Sequence, residues 1–218
     1  MRLDESGSEL HASRVGGSLI LRLKETLFQS GKAGTRCLLD HPLVQEVAFG
    51  LRQELVEKGH LPSGAVAIQA IAFDKTPETN WKVTWHQDLM FPFARPVASE
   101  GFDLSCVKEG IAYARPPLEI LEKLLAVRLH LDDCDETNGP LKISPGTHRL
   151  GIIDVAAIPE FISGHGQELC LADEGVALLM RPLLLHSSSR ATAPKHRRVL
   201  HLVFAPGDPM TEEWHRRV

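Results

Sequence analysis

From residue 65 onward, the sequence consists largely of short apolar segments separated by turn-forming residues. Residues 65–73 are rich in small and β-branched side chains, and residues 127–132 alternate between apolar and polar side chains. Such alternation is typical of a half-buried strand. Further apolar segments of strand length occupy residues 176–180, 183–188 and 199–204. Many short strands divided by turns predict an antiparallel sandwich or barrel.

Helical patterns lie mostly in the first half of the chain. The segment from Pro42 to Lys58 carries apolar residues at helical spacing, namely Val44, Val47, Ala48, Leu51 and Leu55. Pro42 suits the first turn of a helix and Gly59 suits its end, so we expect one helix packed against the outside of a sheet. Residues 18–23 fit either a strand or a helix. The sequence therefore predicts a mainly β fold with flanking helices.

The chain has 218 residues, enough for one domain with a substantial core. Residues 1–17 are polar and rich in Gly and Ser, so we expect a flexible tail followed by a single domain at residues 18–218. A net charge of −4 gives no reason to expect nucleic acid or a membrane as a partner. The N-terminal acids and the scattered cysteines favour a cytoplasmic protein with reduced thiols. The oligomeric state stays open, and a monomer is allowed.

Two His-x-Asp tripeptides occur, His86-Gln87-Asp88 and His130-Leu131-Asp132. Residues i and i+2 of a strand point the same way, so either pair could hold one metal ion. His130 ends an alternating segment, and Asp132 opens an acidic turn. His86 and Asp88 lie among Trp and Phe residues that could wall a pocket. Context therefore favours His86 and Asp88.

A third histidine, His186, follows the first pair after 97 residues. Two imidazoles and one carboxylate hold an octahedral metal on one face, which is the ligand set of non-haem Fe(II) oxygenases. If residues 183–204 form a hairpin that turns at Thr192-Ala193, Ser188 lies opposite Arg197 and shares a face with His186. A guanidinium beside a hydroxyl binds carboxylates well. Arg197 and Ser188 are therefore candidate binders of a dicarboxylate that chelates the metal.

The sequence resembles the phytanoyl-CoA dioxygenase-like (PhyH) family of Fe(II)/2-oxoglutarate oxygenases from about residue 34 to residue 206. The resemblance depends on Gln69-x5-Lys75, Asn80 to Asp88, Leu131-Asp132-Asp133, Asn138 to Leu141, Ser144 to Arg149, and His186 with Arg197. It implies a double-stranded β-helix, also called a jelly roll or cupin-like fold. It also implies His86, Asp88 and His186 as iron ligands, with Arg197 and Ser188 on the distal carboxylate of 2-oxoglutarate.

Gln69 precedes His86 by seventeen residues, where some relatives place a glutamine that contacts the co-substrate. A structural role for a Gln on a buried strand is equally open. Residues 90–113 mix Pro, Gly and aromatic residues without periodicity, which is typical of a lid or binding wall. We expect this segment to influence which substrate is accepted.

The resemblance implies hydroxylation of an unactivated C–H bond of a small molecule, with dioxygen consumed and succinate and CO2 released. Related halogenases carry a small residue where this chain has Asp88, so a carboxylate there favours hydroxylation or a related oxidation. One alternative is a cupin-like hydrolase or isomerase with zinc or manganese at the same three residues. Another is a jelly roll that binds a small molecule without turnover. The sequence does not identify the substrate.

Overall fold

The computed structural model describes residues 2–207 and 210–218 of the chain. Its α-helices are α1 (Leu3–Ser6), α2 (Gly17–Leu27), α3 (Pro42–Glu57), α4 (Leu118–Leu121) and α5 (Ile158–His165). Short 3-10 helices lie at Leu38–Asp40, Thr147–Leu150 and Val155–Ala157. The strands are β1 (Ser8–Ala12), β2 (Gly34–Thr35), β3 (Val66–Asp74), β4 (Val83–His86), β5 (Phe91–Phe93), β6 (Asp103–Lys108), β7 (Ile111–Arg115), β8 (Leu125–His130), β9 (Leu141–Ile143), β10 (Glu168–Cys170), β11 (Val176–Met180), β12 (His186–Ser188) and β13 (Arg198–Ala205).

These strands form two main antiparallel sheets. The six-stranded sheet has the order β1-β11-β8-β13-β3-β2, and the four-stranded sheet has the order β10-β9-β12-β4. Apart from the pairs β2–β3 and β9–β10, neighbouring strands in both orders are not consecutive in the chain, as in a sandwich with long connections between the sheets. Side chains from the two sheets meet in one apolar cluster, which includes Ile68, Ala126, Leu178 and Val203 from the larger sheet and Leu141, Ile143 and Cys170 from the smaller.

The outer face of the six-stranded sheet is covered by α2 and α3. The predicted apolar residues of α3 are all buried there, packed with side chains of α2, β8 and β13 in one cluster. This confirms the helix expected at residues 42–58, and α2 decides the ambiguous segment at residues 18–23. A second apolar core therefore lies outside the sandwich, between the sheet and its helices.

Strand β8 is buried on both faces, although its alternation predicted a half-buried strand. Leu125, Val127 and Leu129 pack against the helices. On the opposite face of the strand, Arg128 and His130 are also buried, with 8% and 2% of their surface exposed. The polar face of this strand points into the protein rather than into water, so the prediction of half burial was wrong.

The flexible tail expected at residues 1–17 is contradicted in the part that the structure describes, residues 2–17, and Met1 lies outside the described residues. Strand β1 pairs with β11 in antiparallel register from Ser8–Met180 to Ala12–Val176 and extends the larger sheet. The buried carboxylate of Glu54 also accepts hydrogen bonds from the Arg14 backbone, at 3.0 and 3.1 Å. Backbone pairing holds this polar segment, and side-chain composition alone does not reveal such pairing.

Residues 90–113 are not a long loop. They contain β5 and β6, which pair with β7 in a separate antiparallel sheet of order β5-β7-β6. In the part of the chain that the structure describes, no helix has the length and apolar character needed to cross a membrane.

Candidate metal centre and its cavity

The smaller sheet brings three candidate ligands together. His86 on β4 and His186 on β12 are direct partners in the antiparallel register, and their ring centroids lie 4.2 Å apart. Asp88 follows β4; its Oδ1 lies 3.6 Å from His86 Nε2, and its Oδ2 lies 3.6 Å from His186 Nε2. One ligand atom from each of the three residues lies within 4.8 Å of the other two. This donor set and spacing fit a two-histidine, one-carboxylate metal site.

Backbone carbonyls orient both imidazoles. Nδ1 of His86 lies 2.8 Å from the Thr84 carbonyl, and Nδ1 of His186 lies 2.9 Å from the Leu184 carbonyl. A carbonyl only accepts hydrogen bonds, so Nδ1 must carry the proton in both rings. The lone pair therefore lies on Nε2, directed toward Asp88. Metal-binding histidines are commonly held by such an outer hydrogen bond.

The residue between the first two candidate ligands anchors the loop that carries Asp88. The Gln87 amide donates to the carbonyls of Gly151 and Leu183, at 2.8 and 2.7 Å, and accepts from the Ile153 backbone at 2.9 Å. The Asp88 backbone donates to the Pro182 carbonyl at 2.9 Å. Gln87 therefore ties the segment after β4 to the segment before β12.

A second brace holds the strand that carries His186. The Thr147 hydroxyl accepts from the Leu185 backbone at 3.0 Å and donates to the Ser144 carbonyl at 2.7 Å. Gly146, just before it, has a φ of +80°, which glycine tolerates more readily than other residues. This explains the Pro-Gly-Thr segment of the sequence as a turn that positions β12.

The charges in the site suit metal binding. Burial opposes ionisation of Asp88, but interaction with the neighbouring imidazoles of His186 and His86 outweighs it, so the pKa of Asp88 is held well below its usual range. Burial lowers the pKa of His186 to about 4, which leaves a neutral imidazole at neutral pH. A carboxylate and a neutral imidazole are the forms that bind metals.

These residues line a cavity of about 360 Å³ that opens between the two sheets. All six residues predicted for the site lie on its wall: Gln69, His86, Asp88, His186, Ser188 and Arg197. The Oε1 atom of Gln69 is buried without a protein partner. The tertiary structure thus gathers residues that span most of the chain.

Arg197 and Ser188 share this cavity, but they do not belong to one hairpin. Ser188 lies on β12 in the smaller sheet, and Arg197 immediately precedes β13 in the larger one. The register derived from a turn at Thr192-Ala193 was therefore wrong, because the intervening chain crosses from one sheet to the other. Arg197 has 2% of its surface exposed, and its Nε–H has no protein partner. It is therefore available to an anion inside the cavity.

Lys75 lies beside this pair, and site prediction from the residues did not single it out. It is fully buried and donates to the Ser188 hydroxyl at 3.3 Å and to the Ser189 carbonyl at 2.7 Å. Burial, and then the charge of Arg197, lower its pKa to about 8. Its position in the Gln69-x5-Lys75 motif was the available signal.

Arg128 and His201 were also missed, although both line the cavity. They are direct partners across β8 and β13. Burial, and then the charge of Arg197, lower the pKa of Arg128 to about 10, so it stays charged at neutral pH. The available signal was a charged residue, Arg128, between two apolar residues of a strand, Val127 and Leu129.

The rival pair, His130 and Asp132, serves a different purpose. His130 Nδ1 donates to the Val176 carbonyl at 3.2 Å, and burial lowers its pKa to about 4. Asp132 accepts two hydrogen bonds from the Arg198 guanidinium, both at 2.8 Å, and lies 3.1 Å from Lys24 Nζ. This pair stabilises the larger sheet and its contact with α2.

Comparison with known proteins gives the same fold. A family model described as phytanoyl-CoA dioxygenase (PhyH) matches residues 35–199. A search of curated proteins produced no significant match. The solved structure of HygX from Streptomyces hygroscopicus with nickel and 2-oxoglutarate bound is 13% identical, with a TM-score of 0.63, covering 94% of this chain and 84% of that chain.

Two further structures are similar. EctD from S. alaskensis with bound Fe is 16% identical, with a TM-score of 0.66, covering 93% of this chain and 74% of that chain. SnoN, a non-haem α-ketoglutarate-dependent epimerase from nogalamycin biosynthesis, is 14% identical, with a TM-score of 0.65, covering 93% and 79%. At these identities the likeness shows the fold alone, and it confirms the predicted double-stranded β-helix.

Proposed function

Since the chain belongs to the phytanoyl-CoA dioxygenase (PhyH) family of Fe(II)- and 2-oxoglutarate-dependent enzymes, we propose that it hydroxylates an unactivated C–H bond of a small molecule. Succinate and CO2 are the co-products. The observation that carries the proposal is the convergence of His86, Asp88 and His186 on one wall of a cavity that also contains Arg197.

In this proposal, His86, Asp88 and His186 hold Fe(II), which supplies the redox chemistry that couples decarboxylation of 2-oxoglutarate to the use of dioxygen. The protein holds the ligand atoms in place before the metal arrives. The carbonyls of Thr84 and Leu184 keep both Nε2 lone pairs directed at the site. Because the chain supplies three ligands, an octahedral ion held there would have further positions for the co-substrate and for dioxygen.

Arg197 and Ser188 bind the distal carboxylate of 2-oxoglutarate. A guanidinium offers two parallel N–H donors to a carboxylate, and its burial strengthens the interaction. Lys75 reinforces this end, because its ammonium orients the Ser188 hydroxyl and adds positive charge. Gln69 lines the same cavity, and its amide NH2 is a further donor to the bound co-substrate.

The finer choice of reaction depends on Asp88. A carboxylate at this position occupies the place that a halide would need, which favours hydroxylation over halogenation. SnoN is an epimerase with a similar fold, so product analysis must separate added oxygen from inverted stereochemistry. A zinc or manganese hydrolase would not need a buried arginine in the same cavity as the metal site.

The other expectations form part of the same proposal. Residues 18–218 belong to a single domain that also includes β1. The protein is cytoplasmic, as its free cysteines suggest. Its partner is a small-molecule substrate, without nucleic acid or membrane.

The test uses anaerobically purified protein loaded with Fe(II). Addition of 2-oxoglutarate should produce a weak visible charge-transfer band in the wild type. His186→Ala should abolish the band, and Arg197→Ala should require far more co-substrate, while the exposed control Arg217→Ala behaves like the wild type. Absence of the band in folded, iron-loaded wild type would refute the oxygenase proposal. Succinate release in air then identifies substrates, and mass spectrometry of their products shows whether oxygen is added.

A further inference from the structure

The cavity contains more buried positive charge than the co-substrate accounts for. Arg128 and Arg197 both line it, with 8% and 2% of their surface exposed. Among residues 2–207 and 210–218, neither guanidinium has a carboxylate within 4.0 Å, and the Nε–H of each is buried without a protein partner. A buried charge that lacks a protein counter-ion is costly, so such residues usually serve a ligand.

Arg128 is built into the inner face of the larger sheet. Ile71, His201 and Arg128 form one row across β3, β13 and β8. One Arg128 Nη1–H donates to His201 Nδ1 at 3.3 Å, and the guanidinium carbon lies 5.7 Å from the centre of the Phe73 ring. These contacts fix the plane of the guanidinium while leaving the Nε–H edge without a partner.

In the proposed function, the distal carboxylate of the co-substrate accounts for Arg197 but not for Arg128. Arg197 lies four residues before His201, which corresponds to roughly 13 Å along an extended chain. In the proposed function, one carboxylate of 2-oxoglutarate would be bound by the metal, and the other reaches Arg197 and Ser188. The distal carboxylate is therefore committed to Arg197, and the effect of Arg128→Gln on the 2-oxoglutarate band shows whether Arg128 contacts the metal-bound carboxylate.

The other residues of the cavity wall indicate the size and polarity of the molecule that carries this additional anionic group. Asp88 is the single carboxylate among the described lining residues, whereas Arg36 and Lys108 add positive charge. Ile71, Leu141 and Val203 add apolar surface. A cavity of about 360 Å³ is at the small end of ligand sites, which span ~300–1,000 Å³. Because 2-oxoglutarate takes part of this space, a compact molecule fits better than a large thioester.

We propose that Arg128, positioned by His201, binds a carboxylate of the primary substrate, and that the substrate is a small organic acid with a compact apolar body. This inference rests on the proposed function, because it assigns Arg197 to the co-substrate. It goes further by naming the substrate class and a specificity residue that touches the substrate.

The experiment compares matched acids and amides. Butanoate, benzoate, phenylacetate and cyclohexanecarboxylate are titrated against the anaerobic Fe(II) protein at saturating 2-oxoglutarate, each beside its primary amide. Binding is measured by calorimetry and by the shift in Tm. The variants are Arg128→Gln, which removes the charge, Arg128→Lys, which keeps it, and Arg217→Gln as an exposed control.

We expect at least one acid to bind the wild type at least tenfold more tightly than its amide. Arg128→Gln should abolish this preference, Arg128→Lys should retain part of it, and Arg217→Gln should leave it unchanged. The 2-oxoglutarate band should titrate normally in Arg128→Gln. If Arg128→Gln does not fold, the acid-to-amide ratio in Arg128→Lys must still be smaller than in the wild type.

Two results would overturn the inference. Equal or absent binding of acids and amides by the wild type would show that the cavity has no second anion site. A much weaker 2-oxoglutarate band in Arg128→Gln would assign Arg128 to the co-substrate instead. Failure of the proposed function looks different, because the band would then be missing from the wild type. Repeating the acid and amide titrations on metal-free protein would still reveal whether the anion site exists.

Discussion

The same tripeptide pattern, His-x-Asp, occurs at residues 86–88 and 130–132 with two different outcomes. His86 and Asp88 face one cavity together with His186, and their polar atoms lie 3.6 Å apart. His130 is buried beside the Val176 carbonyl, whereas Asp132 pairs with Arg198 and Lys24. The spacing is identical, but only His86 and Asp88 line the same cavity.

The difference comes from what surrounds each pair. After β4, the chain is held by Gln87, so that Asp88 stays next to the histidines. After β8, Asp132 turns toward a lysine of α2 and becomes an ion-pair partner. A sequence motif therefore specifies ligand types, whereas a third group from another strand decides whether those ligands converge.

The strongest test removes the metal-site carboxylate. Asp88→Asn keeps the shape but loses the charge, so we expect the affinity for Fe(II) to fall by more than ~100-fold, beyond the ~10–100-fold typical of outer partners. Anaerobic metal titration measures the effect. Asp132→Asn is the matched control and should retain the metal. Wild-type iron content in Asp88→Asn would contradict the assignment.

Loss of the Arg197 guanidinium should have the next largest effect. A hydrogen bond to a charged group is worth ~1.5–3 kcal/mol, so Arg197→Ala should raise the Kd for 2-oxoglutarate roughly 10–100-fold. Titration of the visible band gives this Kd, with Arg217→Ala as the control. Unchanged co-substrate affinity would favour a metalloenzyme of another class.

The brace behind β12 should matter less. Thr147→Val keeps the shape but leaves the Leu185 N–H without its acceptor. We expect the free energy of unfolding to fall by about 1–3 kcal/mol and the iron affinity to fall by about tenfold. Denaturant unfolding and metal titration measure both. Thr26→Val, on the exposed surface of α2, is the control. Equal effects of the two changes would show that the Thr147 hydroxyl does not support β12.

The smallest expected effect on the metal site comes from the rival pair. Asp132→Asn should leave metal binding unchanged but lower the free energy of unfolding by about 1–3 kcal/mol at neutral pH. Burial opposes ionisation of Asp132, but hydrogen bonds from Arg198 and Lys24 outweigh it and lower its pKa. Its contribution is therefore present above the unfolded pKa of about 3.9 and is lost as the pH falls through the lower folded pKa.

Chemical denaturation of both proteins between pH 7 and pH 3 tests this sign. The difference in unfolding free energy should shrink toward acid. A difference that grows on acidification would contradict the predicted sign. Loss of iron in Asp132→Asn would show that the second pair also contributes to the metal site.

Local patterns in the sequence were sufficient for much of the fold. The stripe from Val44 to Leu55 predicted α3, and the apolar segment at residues 176–180 predicted β11. The 97 residues between Asp88 and His186 left room for the strands that return the chain to the same sheet. These features depend on hydrophobic periodicity and residue type, and both can be read from a short stretch of sequence.

The sequence by itself determined the family, the ligand types and the alternation of its strands. Only the tertiary structure decided that Ser188 and Arg197 line one cavity without belonging to one hairpin, that β1 joins the larger sheet, and that Arg128 points inward. Alternation shows that a strand has two unlike faces, but it does not show which face is covered. Pairing between distant strands and packing of α2 and α3 settle that, because they decide where water is excluded.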